Sequence, residues 1–265
     1  MKTIFITGAS TGLGKATAQL FQQKGWKVIA TMRNPEAASD LASLENVTVL
    51  PLDVTQPEQI QAAVKQSLGS GDVDVVFNNA GYGLLGPLEA LSDEQIVRQL
   101  NTNLLGTIRV TQEFIPYFRE KKNGMFISTT SIGGLMAFPL NSIYHATKWA
   151  LEGWSESMAF ELNQFGVDIK TVSPGGIKTD FISRSLDSAT SPAYEEMINS
   201  LYSGMEGMME GASTPEQIAA VVYEAATDGK KQLRYVAGED ANALYAQRLE
   251  LGDELFREQL GKQFI

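Results

Sequence analysis

The chain reads as an α/β protein, a doubly wound sheet of seven parallel strands with helices on both faces. Three observations carry that reading. Short runs rich in β-branched and aromatic residues alternate with longer helical patterns, which is how successive strand–helix–strand units are written in sequence. Several runs, Ile4-Phe5-Ile6 and Val73 to Phe77 among them, are apolar on both faces, as suits strands covered by helices on each side. A glycine-rich segment, Thr7 to Gly14, falls where the first strand gives way to the first helix.

Strands are expected at Thr3–Thr7, Lys27–Met32, Thr48–Leu52, Val73–Asn78, Gly124–Ser128, Asp168–Ser173 and Leu233–Ala237. Helices are expected near Gly14–Lys24, Pro57–Leu68, Asp93–Arg119, Ser142–Phe165, Pro215–Thr227 and Asp240–Gln259. Pro57 and Pro215 follow a Thr closely, the signal of proline at a first helical position. With no internal repeat and no low-complexity linker, residues 1–265 form one expected domain. Within it, 179–212 is rich in Ser, Gly and Met without clear periodicity and reads as an inserted substrate lid, and 240–260 reads as a C-terminal helix.

With 31 Asp and Glu against 21 Lys and Arg, the net charge of −10 repels phosphate backbones and anionic lipid, so neither nucleic acid nor a membrane surface is an expected partner. There is no cysteine and a single histidine, His145, which excludes disulfides, thiolate nucleophiles and Cys- or His-rich metal sites; no metal is expected. The first strand begins near Thr3 with no signal segment before it, and no apolar run reaches membrane-spanning length, so a cytoplasmic protein is expected.

The Thr7–Gly14 segment presents backbone N–H groups and a helix N-terminus at a strand's carboxyl edge, an arrangement that binds pyrophosphate. Its spacing is Gly-x-x-x-Gly-x-Gly, through Gly8, Gly12 and Gly14. In isolation the alternative is a glycine-rich turn built for folding alone. Farther on, Tyr144 and Lys148 stand four residues apart and share one helix face, and Ser131 lies thirteen residues before Tyr144, just past the fifth strand. An isolated Tyr and Lys at that spacing would be packing and surface residues; the serine and the glycine turn in register argue for chemistry. Reduction of a ketone leaves charge on oxygen, so a proton donor must lie within hydrogen-bond reach of it. Tyr144 fits that role, and the Lys148 ammonium beside it would favour phenolate and bring a phenol pKa of about 10 nearer to working pH.

These motifs, in this order, resemble those of the classical short-chain dehydrogenase/reductases, and the likeness runs from Thr3 to roughly Thr179, with a looser likeness to the 17β-hydroxysteroid-dehydrogenase-like branch beyond. The resemblance implies a Rossmann-type domain and an Asn-Ser-Tyr-Lys catalytic set, here Asn103, Ser131, Tyr144 and Lys148. By that likeness Ser131 fixes the substrate oxygen, Asn103 anchors a water that returns a proton through Lys148, and Lys148 also holds the nicotinamide ribose. Gly8, Ser10, Thr11, Gly12, Leu13 and Gly14 would cradle the phosphates. Asp53 and Val54 resemble the adenine-contacting position, although Asp53 would equally serve as the cap of a turn. Asn79, Ala80 and Gly81 would support the cofactor, and Pro174, Gly175, Ile177 and Thr179 would seat the nicotinamide carboxamide.

At the end of the second strand an acid selects NAD, whereas a cation there favours the 2′-phosphate of NADP. Met32 is apolar at that point and Arg33 follows it, so NADP(H) is the expected cofactor, the alternative for Arg33 being a solvated loop charge. Tyr82, Phe138, Ile143 and Phe181 are the candidate substrate contacts, with Pro139 and the lid residues Ile182, Tyr194, Met197, Tyr202, Met205, Met208 and Met209 near them, favouring an apolar carbonyl or alcohol. Any of these side chains would also serve simply to fold the lid onto the core. His145 is read as a packing residue. The resemblance implies a homo-oligomer, dimer or tetramer, through the helices that carry Ile96, Leu100, Leu104, Trp149, Trp154 and Phe160. Two rival readings remain: a 3-oxoacyl thioester reductase, disfavoured by the acidic charge, and a non-catalytic NADP-binding redox regulator, which has no need of all four catalytic residues.

Overall fold

The computed structural model describes residues 1–179 and 186–263, without the side chains of residues 37–39 and 205–210. The strands are β1 Thr3–Thr7, β2 Lys27–Met32, β3 Val47–Pro51, β4 Val75–Asn78, β5 Gly83–Leu85, β6 Gly124–Thr129, β7 Val167–Pro174, β8 Leu186–Ser188 and β9 Arg234–Ala237. The α-helices are α1 Gly12–Gln23, α2 Ser39–Ala42, α3 Pro57–Gly69, α4 Asp93–Leu100, α5 Gly106–Lys121, α6 Ser142–Leu162, α7 Glu195–Glu210, α8 Pro215–Thr227, α9 Glu239–Leu251 and α10 Asp253–Gly261. Seven strands form one parallel sheet in the order β3-β2-β1-β4-β6-β7-β9. The strand order reverses between β1 and β4, and the carboxyl ends on either side of such a point are where doubly wound sheets bind ligands.

β1 shows why the sheet is covered on both faces. Ile4 and Ile6 point to one side and pack with residues of α1 and α8, while Phe5 points to the other and meets Phe114 of α5 edge-on at 5.0 Å. Phe5, Phe77, Phe114, Phe118 and Phe126 are all fully buried, each stabilising the fold by about 1.5–3 kcal/mol of transfer free energy. Local signals set the helix starts. Ser92 and Gln95 close a capping box on α4, and Thr214 and Gln217 do so on α8, with Pro215 at its first position.

The structure departs from the sequence reading in three places. The single helix expected over Asp93–Arg119 is two helices joined by a π-helical turn, Asn101–Leu105, where the Asn103 amide is drawn sideways onto the backbone of Tyr82. The expected C-terminal helix, 240–260, is broken at Gly252, which adopts φ +77° between α9 and α10. The segment 179–212 is not aperiodic: it holds β8, a 3₁₀ turn at Pro192–Tyr194 and α7, along which Met197, Ile198, Leu201 and Tyr202 recur at helical spacing. A third apolar cluster joins this segment to the C-terminal helices, with Leu201, Phe256 and Leu260 packed beside Ile132 and Met136.

Among the described residues no helix is long and apolar enough to cross a membrane, and no three His, Asp or Glu side chains gather as a metal site. One charge is fully buried under β7. The Lys170 ammonium donates to the Ala225 carbonyl at 2.8 Å, to Asp228 at 3.0 Å and to the Tyr235 hydroxyl at 3.1 Å, while that hydroxyl donates to the other Asp228 oxygen at 2.7 Å. Against the desolvation that burial imposes, Tyr235, the Lys230 amide and Lys170 hold the Asp228 carboxyl down to about 2. A depressed carboxylate stabilises the fold above its unfolded pKa of about 3.9, and that contribution drains away as pH falls toward the folded value. Asp228→Ala would strand the ammonium, so denaturant unfolding at pH 7 should show a loss of about 3–5 kcal/mol, whereas the double variant Lys170→Met/Asp228→Ala should recover much of it.

Candidate active site

The turn between β1 and α1 is built from close backbone approaches. A Cβ on Gly8, whose φ is +68°, would lie 2.9 Å from the Ala80 Cα, and one on Gly14 would lie 2.3 Å from the Gly8 carbonyl oxygen. Both positions exclude any side chain. Thr11 is the N-cap of α1 yet makes no side-chain cap bond, and the first turn of the helix carries no acid. Its N–H groups and positive end thus face the carboxyl edge beside Gly12 and Leu13 without a side-chain acceptor. Ser10 and Arg33 are exposed at the same edge, Arg33 directly after the buried Met32. Asp53, after β3, closes a turn by accepting from the Thr55 amide at 2.9 Å and the Thr55 hydroxyl at 2.7 Å, so one of its oxygens serves as the turn cap; Val54 is buried against Gly106.

Asn79 ties three strand ends together. Its amide donates to the carbonyls of Thr7 and Gly8, each at 3.2 Å, and accepts from the Thr129 hydroxyl at 3.3 Å, while the Thr7 hydroxyl accepts from the backbone amides of Asn79 and Ala80. Next to it, Gly81 leaves room for Asn103, whose oxygen would lie 3.1 Å from a Cβ there. The Asn103 side chain spans Tyr82, accepting from its amide at 3.0 Å and donating to its carbonyl at 2.9 Å. Its amide thereby uses one N–H and one oxygen lone pair on Tyr82, which fixes its orientation.

Ser131 caps the short 3₁₀ turn Ile132–Gly134 through a 3.0 Å bond from the Gly133 amide. Tyr144 and Lys148 lie one turn apart on α6, with the ammonium 5.7 Å from the centre of the phenol ring and donating to the Thr129 carbonyl at 2.9 Å. Burial pushes the Tyr144 hydroxyl up, and a hydrogen bond with Ser131 works against that. Burial likewise pulls Lys148 down, to about 8, with the Glu152 carboxylate opposing the shift. The structure therefore brings Ser131, Tyr144 and Lys148 together, and Ser131 is the group in direct contact with the phenol.

The loop after β7 completes the rim. The Gly176 amide donates to Asp240 at 2.7 Å, Ser213 brackets Gly176 and Lys178 by backbone bonds, and a Cβ on Gly12 would lie 3.3 Å from Thr179. Pro174, Gly175 and Ile177 are thus held facing the glycine turn. Of the substrate candidates, Phe138 and Ile143 are half-buried, Phe138 with its ring 5.9 Å from that of His145 and Ile143 directly before Tyr144 in the chain, whereas the Tyr82 hydroxyl is turned to Arg98, which donates to it at 3.2 Å. Arg98 and Gln95 also grip Asp187 of β8, fastening to α4 the strand that pairs with β5. Phe181 and Ile182 lie outside the described residues, as do the side chains of Met205, Met208 and Met209.

A sheet switch point flanked by a glycine cradle and a Ser-Tyr-Lys cluster defines a nucleotide-dependent oxidoreductase class. Residues 2–189 match the short chain dehydrogenase family, and the chain belongs to that family. Human 17-beta-hydroxysteroid dehydrogenase type 1 is 35% identical over 93% of this chain and 80% of its own length. A short-chain dehydrogenase from Streptomyces avermitilis superimposes with a TM-score of 0.86 at 31% identity, covering 98% of this chain and 95% of that one. An alcohol dehydrogenase from Thermococcus sibiricus, complexed with 5-hydroxy-NADP, has a TM-score of 0.75 at 26% identity over 90% and 96% of the two chains.

Three contributors escaped the sequence reading. Thr7 and Asp240 hold the two cofactor-side loops, and His145, read as packing, bonds the loop after Ser131 through both ring nitrogens. The signal for Asp240 was the pair Gly175 and Gly238, where a Cβ would come within 2.1 and 2.6 Å of its carboxylate. Asn103→Ala should loosen Tyr82: its backbone amide loses its partner while its carbonyl keeps only the bond from Gln99, and thermal or denaturant unfolding should register a loss of about 1–3 kcal/mol.

Proposed function

We propose that the chain is a single short-chain dehydrogenase/reductase domain that interconverts an apolar ketone or aldehyde and its alcohol with NADP(H), Tyr144 acting as general acid and base. The observation that carries this reading is the meeting of Ser131, Tyr144 and Lys148 at the carboxyl edge of β6, one strand from the glycine cradle.

The residues present fit a dinucleotide. Glycines at 8, 12 and 14 leave the backbone bare where a pyrophosphate must approach, and α1 opens without a side-chain cap, whereas α4 and α8 have theirs filled by Ser92 and Thr214. Gly8, Ser10, Thr11, Gly12, Leu13 and Gly14 would hold the phosphates, Arg33 the 2′-phosphate, and Asp53 with Val54 the adenosine. Asn79, Ala80 and Gly81 would form the floor, Lys148 would hold the nicotinamide ribose, and Pro174, Gly175, Ile177 and Thr179 would seat the carboxamide. The NADP derivative bound to the Thermococcus relative supports this choice.

When bound, NADPH supplies the hydride for the carbonyl carbon. Tyr144 then gives its proton to the oxygen on which charge develops, and Ser131 orients that oxygen and the phenol together. Because burial disfavours phenolate, Tyr144 stays a donor in the reducing direction. Lys148 restores the proton balance beside it, and Asn103 acts by fixing Tyr82. Half-buried Phe138 and Ile143 give the substrate end an apolar lining. The exposed Trp149 and Phe160 on α6 are read as part of a homo-oligomer contact.

A screen of NADPH oxidation over ketosteroids, aromatic ketones, aldehydes, quinones and 3-oxoacyl esters tests the activity. With a substrate in hand, Tyr144→Phe should lower kcat by roughly 10²–10⁴-fold while NADPH binding, read by fluorescence titration, persists. Retained turnover would remove Tyr144 as the acid. Reduction should be level below pH about 8 and fall above it as Lys148 loses its proton. Arg33→Ala should weaken use of NADPH by roughly ten- to a hundredfold in kcat/KM, the loss of one charge-assisted contact, and leave NADH nearly unchanged. Equal use of both cofactors by the wild type would sink the NADP assignment.

A further inference from the structure

We propose that His145 is a positioning residue, whose two ring nitrogens hold the loop between Ser131 and Phe138 in the shape that presents Ser131 to Tyr144 and to the substrate oxygen. The proposal rests on the Ser131–Tyr144 reading of the site given above.

The bonding leaves one arrangement of protons. His145 Nε2 accepts from the Phe138 amide at 2.9 Å, and Nδ1 lies 2.7 Å from the Gly133 carbonyl oxygen. An amide N–H only donates and a carbonyl only accepts, so the ring is neutral with its proton on Nδ1. Gly133 is thereby gripped from both ends: its carbonyl by His145 and its amide by the Ser131 hydroxyl at 3.0 Å. It must also be glycine, since a Cβ there would lie 2.8 Å from the imidazole. The ring sits next to Tyr144 in the chain, with its centre 5.9 Å from that of the phenol. One side chain on the catalytic helix thus fixes the path of the loop that bears the serine, and it does so at both ends of that loop.

This arrangement is sensitive to protonation in a way that simple packing is not. An imidazolium carries a proton on each nitrogen, so Nε2–H would face the Phe138 N–H, donor against donor, and the bond would be lost. The charges near the ring do not offset this. Residues 130–143, which pack over it, contain no Asp, Glu, Lys or Arg. On its own helix the titratable neighbours are Tyr144 and Lys148; beyond them Glu152 is paired with Arg234, Arg98 with Asp187, and Arg248 lies over Trp149. Burial pulls the His145 pKa below its usual value against the bond to the Gly133 carbonyl, and the Phe138 amide, which can bond only an unprotonated Nε2, works in the same direction as burial. A depressed histidine contributes its stability above the unfolded value of about 6.5 and loses it as pH falls through the folded one.

Because the chain has a single histidine, one imidazole signal reports the state of the clamp without any substrate. In 15N-labelled protein the ring should be the Nδ1–H tautomer and titrate below pH about 6.5. Hydrogen exchange of residues 133–138, corrected for its intrinsic pH dependence, should speed up over the same range. His145→Phe keeps the ring volume but removes both bonds; it should raise KM and lower kcat by about tenfold each while the NADPH Kd stays within about twofold. His145→Gln retains one donor and one acceptor; it should restore most of the turnover and abolish the acid limb of the kcat/KM profile. An Nε2–H tautomer, wild-type kinetics in His145→Phe, or an acid limb unchanged in His145→Gln would overturn the proposal. Should no carbonyl compound be reduced, the activity reading fails by itself, and the tautomer and exchange data still decide whether the clamp exists. Should His145→Phe fail to fold, the glutamine variant and the wild-type titration decide.

Discussion

The turn after β1 lies against the turn after β4 more closely than any side chain permits, and the functional edge of the sheet depends on that contact. Gly8 meets Ala80 at backbone distance, and the Thr7 hydroxyl and the Asn79 amide bridge the two turns. From there the tie continues along the edge. Asn79 accepts from the Thr129 hydroxyl, and the Thr129 carbonyl accepts from Lys148, so two residues connect the glycine cradle to Lys148. A shift of β4 relative to β1 would move the cradle and the lysine apart together. The register of the switch point, set by apolar strands paired over Ile4–Val75 to Ile6–Phe77, is therefore also the register of the chemistry.

The substrate side is assembled by a second set of long-range ties. The π-helical turn lets Asn103 reach Tyr82, and Tyr82, Arg98 and Asp187 then join β5 to the lid strand β8. On the far side, Asp240 holds Gly176, and Ser213 pins the same loop to the point where the lid segment ends. The segment from β8 to α7 is anchored at both ends by groups that also shape the candidate site, and α7 packs through Leu201 on the C-terminal helices. The loop after β7, the segment that follows it and the C-terminal helices are consequently held together, although the helices are remote from the other two in the chain.

The parts legible in sequence were those with local signals. Strand faces follow from periodicity, helix starts from Pro57 and Pro215, and the cradle from glycine spacing. Tyr144 and Lys148 announce themselves because four residues on a helix is a fixed distance in space. What stayed hidden has partners far along the chain. The π-helical turn exists because of Tyr82, twenty-one residues before Asn103, and Asp240 meets Gly176 across sixty-four positions. α7 was missed for a different reason. Its apolar positions are interrupted by Ser, Asn and Gly, so the helical period shows only once the neighbouring surface that it covers is known.

Two lysines in the same sheet region show how burial is used for opposite ends. Lys170 is matched completely, with a carboxylate, a hydroxyl and a carbonyl around its ammonium, and breaking that set leaves an uncompensated charge. Lys148 is buried to a similar degree yet has one carbonyl at hydrogen-bond distance and a carboxylate, Glu152, that is itself engaged by Arg234 and Ser173. Its ammonium is therefore poorly compensated, which is why its pKa falls to about 8 while the neighbouring phenol is pushed up. The opposed shifts carry the proton affinity of the lysine below that of the phenol, so the phenol keeps its proton at neutral pH while the ammonium is the readier of the two to release one. Completing the pairing of Lys148 would strengthen the fold and restore an ordinary ammonium, so the incomplete pairing is what leaves this buried lysine easy to deprotonate.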